Sequence, residues 1–349
     1  MKKLHIILLT TSPASNKLLV ETIEARGHRV TTIHPAKLYL YISEHPSGYD
    51  RLLLESDGDE PIRLHSNSID AVVPRLGSSV TWGSSCLRFL TENLGLFCYD
   101  SAWSHILAQD KSFTLQRLSS AGVRVPRTLV CESLAHVRWA MKKLGNQIVI
   151  KTTHGSKGKT VAVVDNVKSA SGIFEFLYNA GLKVILEEFI PCESTDYRVW
   201  VVGGKVSVAM KRSASDPDQW KANLSLGGKG ELVKLSDDDE ALCIKAAESL
   251  GFGVCGVDMV KSTVSGLSYI IEVNSNPGTL VVSATGHNVF EDVVKLVEEN
   301  CGASNNSQSM NQGNAKIKAD LLFNPNVLGN YDKLIKVNEV FKAGFKYFK

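Results

Sequence analysis

Two short segments in the last third of the chain carry acidic side chains among strongly apolar neighbours. Residues 256–261 and 269–273 have the pattern of two paired strands flanked by valines and isoleucines. Asp258 lies on the first strand, while Glu272 and Asn274 are two residues apart and project from one face of the second. Acidic groups in a buried sheet need a partner, and two carboxylates with an amide oxygen suit Mg²⁺ or Mn²⁺. The segments therefore predict a divalent-metal site on a buried sheet; three polar side chains that face water are the alternative.

The composition is that of an ordinary globular protein. The 349 residues, with 44% hydrophobic and 21% charged residues, predict two or three domains with a sizeable core. A formal net charge of +3 excludes a basic nucleic-acid tail, so we expect no nucleic-acid partner. No apolar run is long enough to span a membrane, and the seven cysteines are scattered without a CxxC motif. We therefore expect a cytoplasmic protein without a membrane partner.

The order of apolar and polar segments indicates how the chain is divided. The first hundred residues alternate strand and helix patterns, which predicts a doubly wound parallel sheet with helices on both faces. Leu4–Leu9 is interpreted as its first strand and not as a secretory signal, because the next residues complete a β-α-β unit. Later hairpins and short helices predict two α+β modules. The predicted domains are residues 1–100, 101–186 and 187–300, followed by a polar linker and a basic, aromatic extension at 301–349.

A loop rich in glycine and lysine, His154–Lys159, lies between two predicted strands. Glycines let backbone N–H groups approach phosphate oxygens, and lysines add positive charge; an exposed hairpin turn is the alternative. Lys151 ends the apolar run before the loop and is placed to meet a phosphate. Lys111, just after a predicted helix cap at Asp110, is a similar candidate. The loop is not a Walker A motif, because no helix follows it.

Further cationic and amide side chains follow a later strand. Arg212 comes just after that strand, and Lys221 and Asn223 lie across a polar, glycine-rich loop. Such donors could bind a transferring phosphoryl group or an anionic intermediate, whereas a surface salt bridge is the alternative for Arg212. Asp196 and Arg198 could equally form a simple ion pair.

Several catalytic patterns are missing from the sequence. It contains no GxSxG motif, no cysteine in a nucleophile motif and no histidine-based metal pattern. These absences favour metal-assisted phosphate chemistry over a covalent enzyme intermediate.

The order of these motifs resembles that of the ATP-grasp carboxylate–amine ligases, and most closely the RimK type, the ribosomal-protein glutamate ligases. The resemblance extends over about residues 1–300. It is carried by Ala71–Gly77, Gln109–Lys111, Ile150–Lys151, Gly155–Gly158, Glu187–Ile190, Asp196–Arg198, Arg212, Asn223, Gly227–Gly228, Gly256–Asp258 and Glu272–Gly278.

The resemblance implies an ATP-grasp fold, in which two α+β modules clamp ATP next to an N-terminal pre-ATP-grasp domain. It implies that Asp258, Glu272 and Asn274 hold two Mg²⁺ or Mn²⁺ ions, and that Arg212 and Asn223 face the γ-phosphate and an acyl-phosphate. The candidate nucleotide contacts are Lys111, Lys151, Gly155, Ser156, Gly158, Glu188, Phe189, Asp196 and Lys221. Glu188 and Phe189 would present backbone groups to adenine, and Asp196 would hold the ribose or a nearby polar group.

The implied activity is ATP-dependent amide formation through an acyl-phosphate. We expect a protein or peptide C-terminal carboxylate as acceptor and glutamate as the amine donor, and a homo-oligomer is left open. The alternatives are a ligase for a small amino acid or peptide, a macrocyclising peptide ligase, a phosphotransferase that stops at the phosphorylated product, and a non-catalytic nucleotide-binding scaffold. His154 departs from the acidic residue of many relatives. Arg75 is a candidate substrate contact in the first domain, with a structural salt bridge as the alternative.

Overall fold

The computed structural model describes residues 2–40, 52–54, 62–63, 68–155, 160–214 and 228–302. The first elements are β1 (His5–Thr10), α1 (Lys17–Ala25), β2 (Arg29–Ile33), β3 (Leu38–Leu40), β4 (Leu52–Leu54), β5 (Ile62–Arg63), β6 (Ala71–Arg75), α2 (Val80–Arg88) and α3 (Ala102–Leu107). Strands β1, β2 and β6 form a parallel sheet in the order β2-β1-β6, and β3–β5 form a small antiparallel sheet.

The parallel sheet is covered on both faces, as the alternating pattern predicts. Ile6 and Leu8 of β1 belong to an apolar cluster with α1, whereas Ile7 and Leu9 pack on the other side with α2. This confirms the doubly wound arrangement. Pro74 lies within β6. Proline is tolerated there because, within the described ranges, β6 has a strand partner on one side only, apart from the isolated bridge at Ala71.

The next elements form a four-stranded antiparallel sheet in the order β7-β10-β8-β9. They are α4 (Lys111–Ser120), β7 (Thr128–Cys131), α5 (Ala135–Leu144), β8 (Ile148–Thr152), β9 (Val161–Val164), α6 (Val167–Asn179) and β10 (Val184–Glu188). Asp110 caps α4 as predicted, because its carboxylate accepts the N–H of Ser112 at 2.7 Å and that of Phe113 at 3.3 Å. The cap fixes the direction in which Lys111 leaves the start of α4.

The last elements form a five-stranded antiparallel sheet in the order β13-β12-β11-β14-β15. They are β11 (Thr195–Val202), β12 (Lys205–Ser213), β13 (Lys229–Leu232), α7 (Asp237–Ser249), β14 (Val254–Lys261), β15 (Ser268–Asn274), α8 (Leu280–Thr285) and α9 (Val289–Gly302). A two-residue hairpin turn joins β11 to β12, where Gly203 and Gly204 both have positive φ values, 58° and 73°. The predicted pairing of β14 with β15 is confirmed as well.

The two faces of this sheet have different neighbours. The back face, with Val199 and Val257, packs in one cluster with α7. The opposite face, which we call the front face, carries Trp200, Met210 and Val254, and these residues belong to one apolar cluster with α9. We call these three residues the apolar end.

Helix α9 joins the apolar end to the first sheet. Its Phe290 lies edge-on to Trp200 with ring centroids 6.0 Å apart. Its Glu298 accepts hydrogen bonds from Arg26, just after α1, at 2.6 and 2.9 Å, and lies 2.7 Å from the His28 ring nitrogen. The front face is therefore anchored to the N-terminal sheet at its apolar end.

The domain boundaries expected from the sequence stay a prediction. The expected extension at 301–349 lies, after its first two residues, outside the described residues. No helix of the described part is both long and apolar enough to cross a bilayer.

Candidate active site

The remainder of the front face carries the charged side chains that the sequence singles out. In the strand register Asp258 lies opposite Glu272 on β15 and opposite Arg198 on β11. Directly opposed residues of antiparallel strands project from the same face. Asp196, two residues before Arg198, and Asn274, two residues after Glu272, lie on the same face, and Arg212 lies opposite Asp196. We call the polar residues of this face the charged end: Asp196, Arg198, Arg212, Asp258, Glu272 and Asn274.

Arginine–carboxylate pairs connect the strands of the charged end. Asp258 is only 4% exposed; Arg198 donates to both of its oxygens, with one N–O distance of 2.8 Å. Arg212 holds both oxygens of Asp196 at 2.5 and 2.8 Å and lies 3.2 Å from Asp258. The alternative of an ion pair between Asp196 and Arg198 is therefore not supported. Residues two apart on one strand are farther from each other than directly opposed residues, so each pairs across the sheet.

Burial and pairing act in opposite directions on these groups. Burial lowers the pKa of the Arg212 guanidinium, but Asp258 and Asp196 outweigh it and the net pKa is raised. Burial raises the pKa of Asp196, and the opposing effect of Arg212 only partly compensates. Arg212 consequently carries its positive charge at every accessible pH.

Two lysines enter the site from the four-stranded sheet and from α4. The Lys151 Nζ lies 2.7 Å from the Glu187 Oε1, and both side chains are less than a tenth exposed. Among the described residues the Glu187 Oε1 accepts no hydrogen bond of good geometry, so the contact is an ion pair only. The Lys111 Nζ donates to the Gly155 carbonyl at 2.8 Å and lies 3.4 Å from the Glu272 Oε1. Lys111 therefore links the glycine-rich loop to the charged end.

The predicted adenine-binding segment is already engaged with its own sheet. The N–H of Glu188 donates to the Arg127 carbonyl at 2.9 Å, and the N–H of Phe189 to the Gln147 carbonyl at 3.4 Å. The Glu188 carboxylate accepts from the Arg127 side chain at 2.6 Å. The N–H groups of Glu188 and Phe189 are therefore already used. Their carbonyl oxygens are the main-chain groups that could bind a base.

The glycine-rich loop begins at a position that requires glycine. Gly155 has a φ of 139°, and a Cβ there would lie 2.8 Å from the Thr160 hydroxyl oxygen. The remaining predicted contacts, Ser156, Gly158, Lys221 and Asn223, lie outside the described residues.

The three proposed metal ligands form a compact set of hard donors. The Asn274 side-chain N–H donates to the Asp258 Oδ2 at 3.3 Å, and Glu272 is the cross-strand neighbour of Asp258. Within the described ranges no group of three or more His, Cys, Asp and Glu side chains is placed to hold a metal ion. The proposed set has two carboxylates, and its third ligand is an amide. It fits a cation such as Mg²⁺, which takes few protein ligands and keeps water or phosphate oxygens.

Two residues of the site were not assigned a role from the sequence. Arg198 is two positions after Asp196, and the strand period alone places it on the same face. Glu187 ends the apolar run of β10 as Lys151 interrupts that of β8, so the same signal marks both.

Comparisons with known proteins agree with this architecture. The RimK pre-ATP-grasp domain family matches residues 4–104, and the RimK-like ATP-grasp domain family matches residues 108–297. A probable alpha-L-glutamate ligase of Histophilus somni is 31% identical over 287 residues, 81% of this chain and 94% of that protein. One from Teredinibacter turnerae is 32% identical over 303 residues, 85% of this chain and 96% of that protein.

Solved structures share the fold. The ATP-grasp ligase PsnB, complexed with its minimal precursor, has a TM-score of 0.66 at 18% identity and covers 85% of this chain and 99% of its own. A RimK domain ATP-grasp protein of Sphaerobacter thermophilus has a TM-score of 0.60 at 23% identity, covering 84% and 98%. With two family domains that span most of residues 4–297 and relatives above 30% identity, this chain belongs to the RimK-like ATP-grasp ligases.

Proposed function

We propose that this ligase joins an amine to a carboxylate through an acyl-phosphate, and that it adds glutamate to the C-terminal carboxylate of a protein or peptide. The observation that carries the proposal is the strand register, which gathers Asp258, Glu272, Asn274 and Arg212 on one face beside Lys111. The names of the glutamate ligase relatives support glutamate as the added amino acid.

The charges of the site support a nucleotide that arrives with divalent cations. Four cationic side chains are matched by four carboxylates: Lys111, Lys151, Arg198 and Arg212 against Asp196, Asp258, Glu187 and Glu272. Nothing in this balanced set offsets the negative charge of a triphosphate. Mg²⁺ ions, two in this proposal, would be held by Asp258, Glu272 and Asn274 and would neutralise charge on the phosphate oxygens.

Each cation of the site then has a distinct role. Lys111 and Lys151 exchange a carboxylate partner for phosphate oxygens when the nucleotide binds. Arg212, held in place by Asp196, faces the transferred phosphoryl group together with Asn223. Asp196 is a positioning residue for Arg212 in addition to its expected contact with the ribose, because both of its oxygens are bonded to that guanidinium.

The remaining nucleotide contacts come from the four-stranded sheet. Carbonyl oxygens of Glu188 and Phe189 would accept from the adenine amino group, since their N–H groups are already bonded within the sheet. The loop from Gly155 through Ser156 to Gly158 would cover the phosphates, and Lys221 would add a further cation.

The reaction needs positioning and charge neutralisation but no enzyme nucleophile. A carboxylate is a poor electrophile until its oxygen takes the γ-phosphoryl group of ATP, which releases ADP. The amine then attacks the carbonyl carbon, phosphate leaves with the C–O bonding electrons, and the amine loses a proton. Holding both substrates against the charged end makes these steps effectively intramolecular.

Mass spectrometry with isotopic glutamate tests this function directly. The purified protein is incubated with ATP, Mg²⁺, labelled glutamate and peptides with different C-terminal residues, with small carboxylates in parallel. We expect ADP release that depends on both substrates and a peptide heavier by one labelled glutamyl residue. If an amide formed with a free amino acid as acceptor and with none of the peptides, the peptide acceptor would be contradicted. ADP release without any amide would contradict the ligase mechanism. A non-hydrolysable ATP analogue is the matched control.

A further inference from the structure

Among the described residues, Arg75 is a buried cation whose contacts are all with neutral groups. It is 6% exposed and ends β6 of the parallel sheet. Its Nε donates to the Asn16 side-chain oxygen at 2.8 Å, and its Nη2 donates to the Pro277 carbonyl at 2.9 Å. Its guanidinium carbon lies 5.9 Å from the ring centroids of both Trp200 and Phe290. The Arg75 guanidinium is therefore fixed in position and orientation by two hydrogen-bond acceptors and two aromatic rings.

The charge of Arg75 has no counter-ion in the described part of the chain. None of the described carboxylates forms an ion pair with it, so the alternative of a structural salt bridge is not supported. Burial lowers the pKa of Arg75 to about 10, so the group remains protonated at neutral pH. A buried charge without an opposite charge is costly, and an anionic ligand would offset that cost.

Arg75 is connected to the charged end through one short loop. Its acceptor Pro277 follows Asn274 by three residues. Pro277 packs over Gly256 so closely that a Cβ at Gly256 would lie 2.6 Å from the proline Cβ and 3.4 Å from the Arg198 Cδ. Gly256 precedes Asp258 by two residues on the same face. Arg75 is thus adjacent to the proposed metal site and outside it.

Asn276 provides a complementary group in the same loop. Its side-chain oxygen is buried and has no hydrogen-bond partner among the described residues. Its amide nitrogen would be 3.7 Å from a Cβ on Gly77, two residues after Arg75. The loops that carry Arg75 and Asn276 therefore contact each other twice, at Pro277 and at Gly77. An unpaired acceptor beside an unpaired cation matches a molecule with one ammonium or amine and one carboxylate.

We propose that Arg75 and Asn276 form the subsite for the amine-donating amino acid, with its α-carboxylate on the Arg75 guanidinium and its amino group on the Asn276 side-chain oxygen. The proposal rests on the proposed function, because it names the amine substrate of that reaction. The subsite lies where the carboxyl end of a parallel strand meets the loop after Asn274, a common place for ligands in α/β folds. The amine is then held two residues from the proposed ligand Asn274.

The test compares Arg75→Met with Arg117→Met by steady-state kinetics, calorimetry and thermal unfolding. Arg117 also donates its Nε to a main-chain carbonyl, that of Ser249 at 2.8 Å, and takes no part in the site. The probes are glutamate, its α-amide and its γ-amide. We expect wild type and Arg117→Met to bind glutamate more tightly than the α-amide by on the order of 30-fold. Arg75→Met should lose this preference, keep its KM for ATP and unfold at no lower a temperature, since an uncompensated charge is removed.

A second variant, Asn276→Ala, separates the two contacts. It should raise the KM for glutamate while keeping the preference for glutamate over the α-amide. The subsite would be overturned if wild type discriminated against the γ-amide and not against the α-amide. It would also be overturned if Arg75→Met were less stable than wild type but equally selective for glutamate over the α-amide.

Failure of the proposed function gives a different result. If wild type forms no amide, calorimetry with glutamate alone still decides the subsite. Binding that Arg75→Met abolishes would support it, whereas equal binding by both proteins, or none by wild type, would overturn it.

Discussion

The apolar end and the charged end of the front face lie on the same strands yet have opposite chemistry. On β12, Met210 is 2% exposed in the core beneath α9, and Arg212, two residues later, is bonded to two aspartates. On β11, Trp200 and Arg198 show the same change. A step of two residues keeps the face and changes the surroundings, so one rigid sheet supports both a core and a polar site.

The two ends also differ in what they contribute to stability. Burial of the apolar end is favourable in proportion to the area removed from water. Buried ion pairs at the charged end recover little more than the cost of desolvating them. We therefore expect a partly exposed member of the charged end such as Glu272 to matter more for activity than for stability, and substitutions at the apolar end to reduce stability.

The largest expected effect is on turnover and comes from Glu272→Gln at the charged end. It removes a proposed metal ligand and should lower kcat by on the order of 10³-fold, while unfolding free energy changes by less than about 1 kcal/mol. Glu231→Gln on β13 is the control, because Glu231 is exposed and lies 3.8 Å from Lys211. Initial rates of ADP release and thermal unfolding measure the two quantities. If Glu272→Gln turned over as fast as wild type, Glu272 would not be a metal ligand.

Met210→Ala probes the apolar end with the opposite expectation. The lost methylenes and the resulting cavity should lower the unfolding free energy by about 3 kcal/mol, while the folded enzyme keeps its kcat and KM for ATP. Leu232 lies opposite Met210 on β13 and is 59% exposed, so Leu232→Ala should cost much less. Urea unfolding of the two variants gives the comparison. Equal losses in both would show that the apolar end is not a core.

Glu298→Gln tests the anchor beside the apolar end and has the smallest expected effect. The hydrogen bond from Arg26 outweighs burial and, with His28, holds the pKa of Glu298 below its ordinary 4.5. A lowered folded-state pKa stabilises above about pH 4.5, and this contribution is lost as the pH falls further. The variant should therefore be less stable than wild type by about 1–2 kcal/mol at pH 7 and approach it in acid.

Denaturant unfolding at a series of pH values measures that difference. The exposed neighbour provides the control: Glu299→Gln should match wild type throughout. A Glu298→Gln deficit that stays constant down to pH 3 would mean that the lost contact is not ionic.

The sequence predicts those parts of the fold and the candidate site that depend on local pattern. Strand period places Glu272 and Asn274 on one face, and the cap at Asp110 marks the start of α4. The side-chain ion pairs between strands were not predicted, because they depend on register: the partner of Asp258 is Arg198, which lies 60 residues away. Short strands such as β7 and β13 were missed as well, since four residues carry too little periodicity.

Arg75 shows a different limit. Its position after a buried strand marks it as unusual, yet its acceptor Pro277 is 202 residues away and its aromatic neighbours come from two further elements. Only the assembled fold shows that the cation is held by neutral groups.

The contact between α9 and α1 has a consequence for synthesis of the chain. Arg26 and Glu298, which connect the two helices, are 272 residues apart. The apolar cluster around Ile6 includes Val293 and Val294 of α9, so the first sheet cannot complete its core until the last described helix has left the ribosome. Until then one face of an early-made sheet stays incompletely covered, so we expect its apolar side chains to remain exposed to solvent during synthesis.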